Sequence, residues 1–156
     1  MRPRQALIEP GTRAPDFSLP DQNGEQVALS DLRGDRVLLA FYPLDFSEVC
    51  TDQLSVYQEV LGEIEATGTK LLGISVDHAY AHKAFGEKNG LSMPLLADFH
   101  PKGEVASAYG AYLPKWGTSN RSLVLIDADG VVEWVYEAPT PLKFPGANVI
   151  FDALAE

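Results

Sequence analysis

The chain has 156 residues, 46% of them apolar and 10% aromatic, which suits one domain built on a single substantial core. Lys and Arg number 12 against 22 Asp and Glu, a formal net charge of −10 that argues against nucleic acid or an anionic membrane surface as a partner. A single cysteine excludes an internal disulfide, the opening Met-Arg-Pro-Arg-Gln-Ala lacks the apolar core of a signal peptide, and no apolar run approaches the roughly 20 residues of a membrane helix, so the expected location is the cytoplasm.

Residues 1 to 12, with Pro and Gly, read as a loose leader, and order is expected from about Pro15. Asp16-Phe-Ser-Leu19 and Gln26-Val-Ala-Leu29 alternate in polarity on either side of Asp21-Gln-Asn-Gly24, whose Asn-Gly pair predicts a hairpin turn. Ser30 to Gly34 connects to Arg36-Val-Leu-Leu-Ala-Phe-Tyr42, a short and continuously apolar run that predicts a central strand buried on both faces. Pro43 ends its ladder pairing, and Ser47 is a candidate N-cap for a helix with Cys50 in its first turn. Cys50, Leu54, Tyr57, Leu61 and Ile64 share one face of that helix, which is expected to run to about Gly68. Thr69 to Val76 is a second apolar strand, so strand, helix and strand form a right-handed parallel crossover.

Asp77 is a candidate cap for a helix reaching about Asn89-Gly90, Met93 to Ala97 reads as a short strand, and Pro101 to Tyr109 as a short helix. Residues 110 to 120 read as a loop containing Trp116. Ser122 to Ile126 and Val131 to Tyr136 flank Asp127-Ala-Asp-Gly130, a second hairpin signal. A proline-rich loop, 138 to 146, precedes a terminal amphipathic helix ending near Leu154. The expected architecture is α/β and thioredoxin-like: a mixed sheet with helices on both faces and an additional N-terminal hairpin, in one domain.

Chemistry centres on Cys50. Its place in the apolar stripe is compatible with a plain core residue, since free cysteines are among the most buried side chains. Three features favour reactivity: a helix N-terminus with free N–H donors and a positive dipole end, a position at the carboxyl end of a central strand, and the hydroxyl of Ser47 one turn back. Asp45, Glu48 and Asp52 oppose a thiolate if they face it, so a cation is required. Arg121 is the one arginine after Arg36, and if strand 122 to 126 runs antiparallel to strand 36 to 42 it comes within reach of Cys50; otherwise it is a solvated strand-end charge.

Pro43-Leu-Asp-Phe-Ser47-Glu-Val-Cys50 resembles the Pro-x-x-x-Thr/Ser-x-x-Cys motif of the peroxiredoxins. The likeness extends to Ala-Pro-Asp-Phe-Ser-Leu, Phe-Tyr-Pro, Gly-Ile-Ser-Val-Asp, Pro-Leu-Leu-Ala-Asp, Ala-Tyr-Gly and Asn-Arg-Ser, nearly the whole chain. The resemblance implies that Cys50 is the peroxidatic cysteine, that Pro43 shields it, that Ser47 hydrogen-bonds peroxide and that Arg121 orients thiolate and substrate. Gln53 stands where the family often has Glu or Gln, a candidate brace for the arginine, and Val49 and Phe46 are candidate supporting or substrate-contacting neighbours. Ser replaces the commoner Thr at position 47, keeping the hydroxyl and losing a methyl. With no second cysteine, the chain resembles the one-cysteine peroxiredoxins and is nearest in phrasing to the bacterial alkyl hydroperoxide reductase E type. That implies a thiol-dependent peroxidase passing through a sulfenic acid resolved by an external thiol, small or thioredoxin- or glutaredoxin-like, with no cofactor, and acting as a homodimer.

The rivals are a cysteine hydrolase with His78, His82 or His100 as base, a thiol-disulfide oxidoreductase, disfavoured because Cys50-Thr-Asp-Gln53 lacks a second cysteine, and a redox sensor signalling through Cys50 without rapid turnover. His78 and His82, four apart, read as a solvated helix face and not as a metal site, because two ligands do not complete one. Trp116 and Tyr112 are candidates for a pocket wall, a dimer contact or ordinary partial burial.

Overall fold

The computed structural model describes residues 6–155. Its organising element is the strand β3 (Arg36–Phe41), whose continuous apolar run places it at the centre of a five-stranded sheet in the order β5-β4-β3-β8-β9. β4 (Thr69–Ser75) and β5 (Leu95–Ala97) extend it in parallel on one side. On the other side β8 (Ser122–Ile126) runs antiparallel to β3, and β9 (Val132–Glu137) antiparallel to β8.

Alternation along β3 divides the core in two. Leu38, Ala40 and Tyr42 join Leu123 and Leu125 under the helices α1 (Glu48–Glu59), α2 (Leu61–Glu65), α3 (Ala79–Asn89) and α5 (Ala147–Leu154). Val37, Leu39 and Phe41 face Val124, Ile126 and the short helix α4 (Glu104–Ala108) on the other side. This is the expected thioredoxin-like mixed sheet, and the N-terminal hairpin is present as β1 (Ser18–Pro20) paired with β2 (Gln26–Ala28). Its turn is closed by Asp21 Oδ1, which accepts the N–H groups of Asn23 and Glu25. Among the described residues no helix is long and apolar enough to cross a membrane.

Several local features differ from the sequence reading. The leader is tied down from Ile8 onward: the Ile8 N–H donates to Tyr109 O, the Gly11 N–H to Val132 O, and Arg13 bridges Val131, while residues 1–5 lie outside the described part. The helix after Cys50 is not continuous. Val60 leaves helical geometry and donates to Tyr57 O, which separates α2 from α1 while Leu61 and Ile64 stay in the core. Within the loop 110–120, β6 (Tyr112–Leu113) pairs with β7 (Thr118–Ser119) around a turn in which the Trp116 and Gly117 N–H groups donate to Leu113 O. Asp77 does not cap α3; that role falls to His78, whose Nδ1 accepts the Tyr80 N–H at 3.1 Å.

Leu39 is fully enclosed between the sheet and the α4 side, so Leu39→Ala leaves a cavity and is expected to cost about 2–5 kcal/mol in urea unfolding. Leu142→Ala, at a site 76% exposed, is expected to change stability by less than about 0.5 kcal/mol.

Candidate active site

Cys50 stands where the chain leaves β3 and turns back as α1. After Tyr42, whose N–H still donates to Ile74 O, Pro43 has no N–H to extend the ladder and the chain loops outward through residues 43–47. Ser47 then takes an extended conformation and caps α1: its Oγ accepts the Cys50 N–H at 3.3 Å, as its sequence position predicts. Ser47 O accepts both the N–H and the hydroxyl of Thr51. Cys50 is fully buried in the stripe that includes Leu54 and Tyr57, a core residue in the first turn of a helix.

Arg121 arrives from the opposite direction. Because β8 is antiparallel to β3, with Phe41 opposite Ser122 and Ala40 opposite Leu123, its first residue lies beside the end of β3. Alternation puts Arg121 on the face of Leu123 and Leu125, the face that α1 covers. The side chain is buried, and Nη2 donates to Cys50 Sγ at 3.3 Å. Nε and Nη2 donate to Pro141 O at 3.0 and 2.8 Å, and Nη1 donates to Gln53 Oε1. Neutral oxygens therefore aim the guanidinium without neutralising it, and its charge is delivered to the sulfur.

Gln53 is itself held in place. Its Nε2 donates to Tyr57 Oη at 3.1 Å, and that hydroxyl donates to Pro145 O at 2.7 Å. Burial pushes the Tyr57 phenol well above its ordinary range, so it remains a neutral donor. Tyr57 and the two proline carbonyls of the loop 138–146 were not singled out from sequence. The available signal was that a tyrosine in a buried stripe must find a partner for its hydroxyl.

The acidic residues around the motif are turned away from the sulfur. Glu48 and Asp52 are exposed. Asp45 is buried and points to the other side of the loop, where Oδ1 accepts the Tyr42 hydroxyl at 2.6 Å and Oδ2 lies 2.7 Å from His82 Nδ1. This corrects the reading of His82 as part of a solvated helix face. Its ring is fully buried, whereas His78 is exposed and His100 likewise. Asp45, Asp77 and His82 bring candidate ligand atoms within 4.8 Å of one another, but those atoms are already hydrogen-bonded to each other, to Tyr42 and to Ser75.

Within the motif Pro43 and Val49 are half-buried, and Phe46 is half-exposed with its ring 5.2 Å from that of Phe85. Tyr112 packs on the opposite core from Cys50, and Trp116 is mostly exposed. Among the described residues the hydrogen-bond partner of Sγ is Arg121, not a histidine, which removes the geometric basis of the hydrolase reading.

Comparison with known proteins identifies the family and the fold. Residues 10–135 match the model of the AhpC/TSA family. The chain is 36% identical over 150 residues to alkyl hydroperoxide reductase E of Mycobacterium tuberculosis, covering 96% of this chain and 97% of that one. It is 38% identical over 136 residues to peroxiredoxin Bcp of Escherichia coli, covering 83% and 86%. Among solved structures, peroxidoxin BcpB of Mycobacterium tuberculosis superimposes with a TM-score of 0.82 at 29% identity, over 95% of both chains. A buried cysteine against a buried arginine, on this fold and with these relatives, makes the chain a member of the AhpC/TSA family, a thiol peroxidase of the peroxiredoxin type.

Proposed function

We propose that Cys50 is the residue that reduces peroxide, and that Arg121, Ser47 and Pro43 form its immediate machinery. The observation that carries this reading is the 3.3 Å contact between Arg121 Nη2 and Cys50 Sγ in a buried site. Thiolate sulfur attacks the distal oxygen of the hydroperoxide. An S–O bond forms, the O–O bond breaks, and the departing oxygen takes a proton to leave as water or an alcohol. Cys50 becomes a sulfenic acid, with both electrons coming from sulfur.

Negative charge moves from sulfur to the leaving oxygen during this step. Fixed donors that serve both ends lower its barrier, and a guanidinium fork is suited to that task. Ser47 Oγ accepts from the Cys50 N–H through a lone pair, which leaves the hydroxyl hydrogen for a peroxide oxygen. Pro43 covers the site without adding an N–H that competes for substrate. Gln53 holds Arg121, and Val49 and Phe46 contribute the apolar border.

This chain contains one cysteine, so the sulfenic acid is resolved by an external thiol. The thiol condenses with it, releasing water, to give a mixed disulfide that a second thiol reduces. Hydrogen peroxide and small organic hydroperoxides are the proposed substrates. A cytoplasmic location fits a lone thiol that must stay reduced, and a homodimer is proposed on the family likeness, with Leu44 and Phe46 exposed on the cysteine loop as available apolar surface. A sensor without turnover is not favoured, since the relatives are named alkyl hydroperoxide reductase and peroxiredoxin.

Reduced protein mixed with excess hydrogen peroxide and no thiol is expected to consume one equivalent per chain rapidly, leaving a dimedone-reactive Cys50, and to turn over continuously once a small thiol is added. Cys50→Ser is expected to abolish both, and a wild type no faster than free cysteine rejects the reading. Ser47→Ala is expected to slow Cys50 oxidation about tenfold or more and to lower stability by about 1 kcal/mol through loss of the cap. Ser47→Thr, which keeps the hydroxyl, is expected to restore both.

A further inference from the structure

The loop that carries Pro43 and Ser47 is fastened by a buried polar network that the peroxide chemistry does not use. Tyr42, at the end of β3, donates its hydroxyl to Asp45 Oδ1 at 2.6 Å. Asp45 Oδ2 lies 2.7 Å from His82 Nδ1, and His82 Nε2 lies 3.0 Å from Leu96 O. The Asp45 N–H donates to Asp77 Oδ2 at 2.8 Å, and the same oxygen accepts the Ser75 hydroxyl at 2.6 Å. Tyr42 and His82 are fully enclosed, and Asp45 nearly so.

A backbone carbonyl only accepts, so Nε2 carries a hydrogen; the short Oδ2 to Nδ1 contact then requires a second proton on that line. Asp45 and His82 thus share a proton in a charge-assisted bond, the strong class of hydrogen bond. Such buried pairs add little net stability over apolar packing, and they earn their place by fixing one geometry.

What this pair fixes is the loop. Phe46, next to Asp45, has φ of 67°, a conformation that a bulky residue holds only when its surroundings impose it. Its ring rests on Phe85. His82 and Phe85 are three residues apart on α3, so successive turns of one helix grip successive residues of the loop. Cys50, at the loop's far end, is fully buried. Hydrogen peroxide has two heavy atoms and needs a small gap, but the sulfur of a thiol reductant cannot approach a buried sulfenic acid unless the loop moves.

We propose that Asp45 and His82, with Asp77, are positioning residues that clasp the cysteine loop shut, favouring attack on peroxide and opposing attack by the external thiol. The proposal rests on the peroxidase reading above, and it assigns opposite effects to one clasp on the two half-reactions.

The test separates those half-reactions in the full chain. Quenched-flow measurement of hydrogen peroxide consumption follows oxidation. Mass spectrometry of mixed-disulfide formation with 2-mercaptoethanol follows resolution of the preformed sulfenic acid. Asp45→Ala is expected to slow oxidation about tenfold and to accelerate mixed-disulfide formation by a factor of about three or more. Asp45→Asn, which accepts from Tyr42 and donates to Nδ1 of a neutral His82, is expected to recover most of the oxidation rate. Should Asp45→Ala fail to fold, Asp77→Ala, at a half-buried site, decides: it removes the acceptor of the Asp45 N–H and must show the same opposed shifts. Rates that fall together, or that do not change, overturn the clasp. A wild type that leaves Cys50 unoxidised by peroxide overturns instead the reading on which it rests.

Discussion

A guanidinium held in the protein interior against a sulfur atom is the constraint from which the rest of this site follows. Burying an unpaired charge is expensive, and the cost is acceptable only where every donor finds an acceptor. In Arg121 each of the three guanidinium nitrogens donates, together making four hydrogen bonds to Cys50 Sγ, Gln53 Oε1 and Pro141 O. Gln53 in turn needs Tyr57, and Tyr57 needs Pro145 O. A single cation therefore dictates the course of the proline-rich loop 138–146, the polar members of α1 and the start of β8. The cysteine sulfur completes the set of acceptors.

The fold supplies the meeting point. α1 begins just beyond the carboxyl end of β3, beside its parallel neighbour β4, and carries Cys50 in its first turn. The antiparallel β8 brings a residue from 71 positions away to the same spot. The three carboxylates of the motif region do not reach the sulfur: two are in solvent and the third is bonded to Tyr42 and His82 on the far side of the loop. The loop thus separates two polar groups: the Arg121 guanidinium lies on the side of the thiol, and the Asp45 carboxyl is turned to Tyr42 and His82 on the side of α3.

Much of this was legible in the residues. Continuous apolar runs located β3, β4 and β8, Asn-Gly and Asp-Gly located the hairpins, and Ser47 marked the start of α1 because a cap needs a side-chain oxygen just before the first turn. Arg121 was legible as well, given one assumption about strand direction that the register of β8 on β3 bears out. Features set by distant contacts were not. His82 has the sequence surroundings of a solvated helix residue, and only Asp45, 37 positions earlier, makes it a core residue. Asp77 has the form of a helix cap, but the loop N–H of Asp45 competes for its carboxylate and wins. The break at Val60 and the pairing of β6 with β7 likewise depend on packing that no local pattern encodes.

The central claim is that the charge of Arg121, aimed by neutral oxygens, is what makes a core cysteine reactive. The most direct test is the second-order rate constant for oxidation of Cys50 by hydrogen peroxide in Arg121→Lys and Arg121→Ala, each compared with wild type at equal folded fraction. Removing one fixed donor to developing negative charge typically costs about 10²–10³ in rate, so Arg121→Ala is predicted to fall by at least that factor. Arg121→Lys, keeping the charge but losing the fork, is predicted to fall between the two. An Arg121→Ala protein that folds and reacts within about twofold of wild type contradicts the account.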